Sequence, residues 1–177
     1  MKISRQQIEH LFSKHARSGA DRLSFDEFRA AILSIEGNCQ SEEEIVVLFQ
    51  GVDIDGDKSI SKSEFIKLIE SIANGNEIEI TKILFRSCDV DRNGTLDQTE
   101  VLSLFKRVGI NITPTILNNI SRFTKENSIN YANFYKIIYD KNLSHNTDPY
   151  DGKNPKTLEI KKETQNNVPT SSCCLIL

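Results

Sequence analysis

Aliphatic residues recur along the chain about 35 positions apart, each with an aromatic residue following it in the next apolar stretch. These repeated positions are Leu23, Ile60, Leu96 and Ile129. Flanking stretches carry apolar residues at helical spacing, as in Ile45-Leu48-Phe49-Val52. A single helix–loop–helix unit cannot bury its apolar face alone. The period therefore predicts four such units packed against one another.

Several helix boundaries can be read from capping patterns. Ser4 precedes Gln7 and Ser41 precedes Glu44, both at the spacing of a capping box. Thr113–Pro114 places a capping residue before a proline at the first helical position. These patterns predict helices that begin close to residues 5, 42 and 114.

The polar stretch 89–100, which we call loop III, reads D-V-D-R-N-G-T-L-D-Q-T-E. It places oxygen-bearing side chains at alternate positions, and Gly94 stands at the sixth, where a sharp turn requires positive φ. Ca²⁺ takes about 6–8 oxygen ligands at about 2.3–2.6 Å, and a loop of this length can supply most of them. The stretch resembles the calcium-binding loop of the EF-hand family, which includes calmodulin and troponin C.

The resemblance implies a role for each ligand position of loop III. Asp89, Asp91 and Asn93 would bind through side-chain oxygens, and Thr95 through its backbone carbonyl. Asp97 would bind directly or through a water, and Glu100 would close the shell with both carboxylate oxygens.

A second copy, loop II, spans residues 53–64 and reads D-I-D-G-D-K-S-I-S-K-S-E. By the same resemblance its ligands are Asp53, Asp55, Asp57, Ser59 (carbonyl), Ser61 (through water) and Glu64. Lys58 replaces the glycine of the sixth position, where left-handed geometry costs about 1–2 kcal/mol. We therefore expect about two bound Ca²⁺ ions in the chain, with loop III the tighter site.

Two further copies lack a metal shell. Loop I (16–27) has Ala16, Ser18 and Ala20 where carboxylates belong. Loop IV (122–133) begins with Arg122 and ends with Asn133, which cannot supply bidentate carboxylate ligation. Both copies are expected to be structural hands without Ca²⁺.

The repeats predict an all-α fold with four EF-hand units in two paired lobes, residues 1–74 and 77–141. Short β-type contacts are expected to join Leu23 to Ile60 and Leu96 to Ile129. The stretch 73–76 contains glycine and asparagine and is expected to separate the lobes. From residue 142 to 177 the chain is polar, contains three prolines and shows no apolar period before its last residues, so we expect a disordered tail.

The tail ends in Cys173-Cys174-Leu175-Ile176-Leu177. Cys174 is fourth from the end and precedes two aliphatic residues and a leucine, a pattern that resembles a prenylation box. One lipid gives only marginal membrane binding, and palmitoylation of Cys173 could supply a second anchor. An apolar end that docks on the protein body, or that is simply frayed, is the alternative.

Composition narrows the classes of function. The net charge is −3 and no basic block occurs, so nucleic acid is not an expected partner. No arrangement of nucleophile, base and oxyanion site suggests an enzyme. The four cysteines show neither zinc spacing nor a disulfide framework, which favours a reduced, cytosol-facing location.

These patterns predict a Ca²⁺ sensor that binds an amphipathic helix of an unknown target protein when loaded. We expect it at the cytoplasmic face of a membrane through its lipid, or in the cytosol if unprenylated. The chain contains only one methionine, so a flexible, promiscuous groove is not expected. A Ca²⁺ buffer and a constitutive light-chain-like subunit are the alternatives.

Overall fold

The computed structural model describes residues 3–35, 41–125, 129–144 and 147–154 of the chain. Within them, eight helices form four pairs, and a two-residue strand lies between the helices of each pair. In chain order the elements are α1 (Arg5–His15), β1 (Arg22–Leu23), α2 (Phe25–Leu33), α3 (Glu42–Val52), β2 (Ile60–Ser61), α4 (Lys62–Ala73), α5 (Glu77–Cys88), β3 (Thr95–Leu96), α6 (Gln98–Arg107), α7 (Pro114–Lys125), β4 (Ile129–Asn130) and α8 (Tyr131–Tyr139). The predicted all-α fold of four helix–loop–helix units is confirmed.

The helices begin where the capping patterns place them. The Ser4 hydroxyl accepts the Gln7 amide at 3.3 Å, and the Ser41 hydroxyl accepts the Glu44 amide at 3.2 Å, each within a complete capping box. α7 begins at Pro114, as predicted. An N-cap of this kind typically contributes about 1 kcal/mol, so these side chains help to set the bounds of short helices.

The repeated aliphatic residues join the loops in pairs. β1 pairs antiparallel with β2 so that Leu23 faces Ile60, and β3 pairs antiparallel with β4 so that Leu96 faces Ile129. All four side chains are buried. The predicted pairing is confirmed, and it places loop I beside loop II and loop III beside loop IV.

Each lobe has its own aromatic core. The buried phenylalanines at the two centres are Phe12, Phe28 and Phe65 in the first lobe and Phe85, Phe105 and Phe134 in the second. Edge-to-face contacts occur in both cores, with ring centroids 5.7 Å apart for Phe12–Phe65 and 5.6 Å for Phe85–Phe134. The helical stripes seen in the sequence are core surfaces.

The two lobes also pack directly on each other through α3 and α5. Ile83 of α5 belongs to the first core, and Val47 of α3 belongs to the second. At Gly51 a Cβ would lie 2.0 Å from the Ile83 carbonyl oxygen, so the close approach of these helices requires glycine. Arg86 Nε donates to the Gly51 carbonyl at 2.5 Å across the same contact. α4 and α5 are separate helices, but the lobes they belong to share a buried interface.

The start of the tail differs from the expectation of disorder. Residues 147–154 pack against both lobes, and the Tyr150 side chain is only 1 % exposed. For these residues the expectation is corrected, because Tyr150 and its neighbours find buried and charged partners on α4, α5 and loop III.

Cys173 and Cys174 lie outside the described residues. Within the described part of the chain, no helix has the length and apolar character needed to cross a membrane.

Candidate metal centre

Loop II folds around the carboxylate of its first residue. Asp53 caps the C-terminus of α3, and its Oδ1 accepts the Gly56 amide at 2.7 Å and the Asp57 amide at 3.1 Å. Its Oδ2 accepts the Lys58 amide at 3.0 Å. These bonds hold the backbone in a tight ring around a nearly buried carboxylate.

The predicted acidic ligands of loop II come together. Asp53, Asp55 and Asp57 each offer a carboxylate oxygen, and these oxygens lie within 4.8 Å of one another. The donor set consists of hard oxygens, which are the ligands that Ca²⁺ and Mg²⁺ prefer. The residues of this loop therefore fit a hard divalent cation, as the sequence pattern predicts.

Glu64 closes loop II through hydrogen bonds. Its Oε1 accepts the Ile54 amide at 3.0 Å, and its Oε2 accepts the Ser61 amide at 2.9 Å and the Ser61 hydroxyl at 2.6 Å. The Ser61 hydroxyl in turn caps α4, so the ninth and twelfth positions form a capping box. Bidentate binding of a cation by Glu64 requires the bonds to Oε2 to be rearranged, because both lone pairs of that oxygen are used.

Loop III has a similar scaffold, in which the first carboxylate accepts two loop amides where that of loop II accepts three. Asp89 caps α5, its Oδ1 accepts the Asn93 amide at 2.9 Å, and its Oδ2 accepts the Gly94 amide at 2.8 Å. Asp91 also accepts the Asn93 amide, and Asn93 Oδ1 accepts the Thr95 amide at 2.7 Å. The predicted ligands thus lie along one turn with their oxygens bonded to successive amides.

The carboxylate at the twelfth position accepts fewer hydrogen bonds in loop III than in loop II. Glu100 Oε2 accepts the Asp97 amide at 2.9 Å, and Asp97 Oδ1 accepts the Glu100 amide at 2.8 Å, which completes a capping box at the start of α6. Glu64 has a further bond to the Ile54 amide, at the second position of its loop. A cation in loop III therefore displaces fewer protein hydrogen bonds.

Both loops are left-handed at their fourth and sixth positions. In loop II these residues are Gly56 and Lys58, with φ of 73° and 66°. In loop III they are Arg92 and Gly94, with φ of 54° and 82°. Each loop therefore contains one glycine and one strained side-chain-bearing residue, at a cost of about 1–2 kcal/mol in either case. The predicted strain at Lys58 is present, but Arg92 brings the same strain to loop III.

Arg22 is a charged neighbour of loop II that the loop's own sequence does not reveal. Its guanidinium forms ion pairs with Asp55 and Asp57, and its Nε donates to the Ser59 hydroxyl at 2.5 Å. Arg22 occupies the seventh position of loop I, and the β1–β2 register sets it opposite Ser61. The β1–β2 register is the signal from which the position of Arg22 beside loop II could have been predicted. The seventh position of loop IV is Ser128, a neutral residue outside the described part of the chain.

Arg92 of loop III reaches across to loop II. Its Nη1 donates to the Ile54 carbonyl at 2.7 Å, and its Nη2 donates to the Asp53 carbonyl at 3.0 Å. A Cβ at Gly56 would lie 3.0 Å from the Arg92 guanidinium carbon, so Gly56 leaves room for this side chain. The two candidate metal loops, one from each lobe, are therefore in direct contact.

The electrostatics differ between the two loops. Burial raises the pKa of Asp89 and of Glu100, although hydrogen bonds to Asp89 oppose the shift. Burial also raises the pKa of Asp53. Burial acts in the same direction on Asp57, but the Ser59 hydroxyl and Arg22 hold the pKa of Asp57 below its ordinary value. Loop II thus has a counter-ion supplied by loop I, and no arginine or lysine pairs with the loop III carboxylates among the described ion pairs.

Loops I and IV are built differently. In loop I the Arg17 guanidinium lies 3.3 Å from the Glu27 carboxylate, and the Arg17 amide donates to the same carboxylate. Loop IV is described only in part, because residues 126–128 fall outside the described ranges. Its Arg122 guanidinium lies over the Phe123 ring at 4.5 Å. Their expected lack of Ca²⁺ stays a prediction.

Comparison with known proteins finds a family match in the first lobe. Residues 5–70 match the family model of the EF-hand domain pair. The second pair of hands repeats this arrangement in the structure, with the same strand pairing. Residues 5–70 therefore resemble an EF-hand domain pair, and the chain is similar to calcium-binding proteins of the calmodulin-like type.

Three proteins with sequences similar to this chain give further comparisons. The calcium-binding protein CML24 of Arabidopsis thaliana is 29% identical, over 60% of this chain and 68% of the relative. The probable calcium-binding protein CML34 of the same plant is 27% identical, over 73% of this chain and 92% of the relative. Polcalcin Cup a 4 of Hesperocyparis arizonica is 29% identical, over 66% of this chain and 70% of the relative.

Proposed function

We propose that the protein is a Ca²⁺ sensor that binds two ions, one in loop II and one in loop III, and then engages an amphipathic helix of a target protein. The observation that carries this proposal is the pair of preformed loops, in which the position-one carboxylates Asp53 and Asp89 organise the backbone of each ring. Their oxygen donors match the preference of Ca²⁺.

Loop III is proposed as the tighter site. Its carboxylates have no arginine of the kind that Arg22 provides for Asp55 and Asp57 among the described ion pairs. Glu100 also has fewer hydrogen bonds to exchange for metal ligation than Glu64. Both differences favour a cation in loop III.

The surface that binds the target helix would be formed by residues of the lobe cores. The phenylalanines Phe28 and Phe65 lie in the first core, and Phe105 and Phe134 lie in the second, so opening of the helix pairs would expose aromatic surface. Such surface repacks less freely than one rich in methionine. We therefore propose one dedicated partner or a few, and a pull-down that returned calmodulin's broad range of targets would contradict this.

A buffer is the second candidate, and one observation favours it. The α3–α5 contact, with Gly51 against Ile83 and Arg86, ties together two helices that belong to different lobes. This contact fixes α3 and α5 relative to each other, so it restricts the movement of both helices when their hands would open. A constitutive light-chain-like subunit is distinguished by a complex that persists in chelator.

Fluorescence of a hydrophobic dye, with and without Ca²⁺, tests the proposal. A sensor should show a Ca²⁺-dependent rise as the cores open, and calorimetry on the same sample should show two binding events. Binding without a rise in fluorescence would favour the buffer. Mg²⁺ at equal concentration serves as the control, since it demands a stricter geometry with retained waters.

We also propose that a lipid on Cys174 holds the protein at the cytoplasmic face of a membrane, with Cys173 as a candidate for a second lipid. The support is the last-residue pattern alone, which lies outside the described residues. Cys174→Ser should move the protein from the membrane fraction to the cytosol. The matched control is Cys88→Ser, which changes a buried thiol on α5 and should leave the distribution unchanged. Membrane retention of Cys174→Ser would mean that the box is not used.

A further inference from the structure

Residues 147–154, which we call the strap, form a turn that lies across both lobes. The Asp148 carboxylate accepts the Tyr150 amide at 2.8 Å and the Gly152 amide at 2.6 Å, which shapes the turn. The Arg92 guanidinium lies 5.9 Å from the centre of the Tyr150 ring. The strap therefore delivers one aromatic side chain into the contact between the two candidate metal loops.

Four contacts anchor the strap on either side of this tyrosine. Arg86 Nη1 donates to the Pro149 carbonyl at 2.6 Å. Asp151 accepts from Lys67 of α4 and from Lys82 of α5, both at 2.6 Å, so that it joins the two lobes. Asn154 Nδ2 donates to the backbone carbonyl of Arg92 in loop III at 3.0 Å. Together these four contacts hold Tyr150 in one position.

The Tyr150 hydroxyl donates a hydrogen bond to Oδ2 of Asp89 at 2.8 Å, and both groups are buried. Asp89 is the first ligand position of loop III. Its Oδ2 also accepts the Gly94 amide, so the two lone pairs of this oxygen are both used. Its Oδ1 accepts the Asn93 amide and keeps a second lone pair for a cation. The tyrosine and a cation therefore use different oxygens of one carboxylate.

We propose that Tyr150 is a positioning residue for the loop III site, and that docking of the strap and binding of Ca²⁺ in loop III stabilise each other. This inference rests on the proposed Ca²⁺ binding. A group that hydrogen-bonds a metal ligand holds that ligand in the binding orientation and raises metal affinity. By linkage, the cation strengthens strap docking by the same factor.

Loop II has no equivalent in the described structure. Asp53, its first ligand, accepts amides of its own loop, namely those of Gly56, Asp57 and Lys58. The chain beyond the second lobe thus connects to one metal loop selectively. Ca²⁺ in loop III would hold the start of the tail in place, whereas Ca²⁺ in loop II would act on it only indirectly, through Arg92 and through Lys67 of α4.

Calorimetry on the full chain tests the coupling with Tyr150→Phe, which removes one hydroxyl and keeps the ring. A Glu64→Gln background confines binding to loop III, and a Glu100→Gln background confines it to loop II. Tyr150→Phe should weaken Ca²⁺ binding in loop III about tenfold and leave loop II within about twofold. The matched control is Tyr139→Phe, which removes a hydroxyl from α8 outside the strap.

Hydrogen exchange of residues 147–154 in the chain with native Tyr150 gives a second measurement. Ca²⁺ should slow exchange of these amides, and Glu100→Gln should abolish the slowing while Glu64→Gln preserves most of it. The proposed coupling would be overturned if Tyr150→Phe left the Ca²⁺ affinity of loop III unchanged or raised it. It would also be overturned if Ca²⁺ made the amides of residues 147–154 exchange faster. If the native chain takes up no Ca²⁺ in either loop, the proposed function itself fails, and that result is distinguishable from these.

Discussion

Loops II and III have the same length, a first carboxylate that accepts amides of its own loop, and the same two left-handed positions, yet their surroundings differ. Arg22 from the neighbouring loop pairs with two acidic residues of loop II. Tyr150 from the strap donates to the first carboxylate of loop III. One loop therefore receives a competing positive charge, and the other receives a neutral hydrogen-bond donor. Backbone shape is local to the loop, whereas affinity depends on what other segments bring to it.

The largest expected effect is the loss of one site at a time. Glu100→Gln removes bidentate ligation and should weaken Ca²⁺ binding in loop III by about 100-fold, with loop II retained. Calorimetry would show one binding event in place of two. Glu64→Gln is the matched variant, and it should remove loop II instead. Unchanged affinity in Glu100→Gln would refute the assignment of this residue as a ligand.

Arg22→Met tests how a neighbouring positive charge affects loop II without changing any of its proposed Ca²⁺ ligands. It keeps an unbranched aliphatic side chain at this position of β1, but it removes the guanidinium from Asp55 and Asp57. Ca²⁺ binding in loop II should tighten about fivefold, which corresponds to about 1 kcal/mol. Arg17→Met, which breaks the ion pair with Glu27 in loop I, is the control and should leave both affinities unchanged. Weaker binding in Arg22→Met would show that Arg22 organises the ligands of loop II.

The smallest expected effect concerns Lys58. Lys58→Gly removes a positive charge and the left-handed strain together, whereas Lys58→Met removes the charge alone. Since Arg92 brings the same strain to loop III, we expect charge to account for the difference in affinity. Both variants should tighten loop II about threefold. Only Lys58→Gly should raise the free energy of unfolding, by up to about 1 kcal/mol after the flexibility of glycine is counted. A looser loop II in Lys58→Gly would assign Lys58 a further role.

Much of the fold follows from local patterns. The capping residues Ser4 and Ser41 and the proline at 114 set helix starts, and the strand pairs join Leu23 to Ile60 and Leu96 to Ile129 as the repeat predicts. These features depend on neighbours within one or two turns, or on a period repeated four times along the chain. Such information is contained in short windows of sequence.

The packing between lobes was not predictable in this way. Gly51 lies in a helical stripe that looks like an ordinary core face, and only its contact with Ile83 shows why glycine is needed there. Arg22 and Arg92 each act on a loop other than their own. Tyr150 lies in a polar segment with no apolar period, so its burial has no local signal.

By itself, the sequence determined where the candidate calcium loops lie, because such a loop depends on neighbouring residues only. Its ligands, its turn and its capping helix all come from twelve successive residues, as in 89–100. Only the tertiary structure decided which charges and hydrogen bonds reach each loop. Arg22 and Tyr150 are far from their partners along the chain, and burial brings them within hydrogen-bond distance of the carboxylates or hydroxyls they contact. Electrostatic and hydrogen-bond energies depend on distance in space, and only the packing of the lobes and the strap sets that distance.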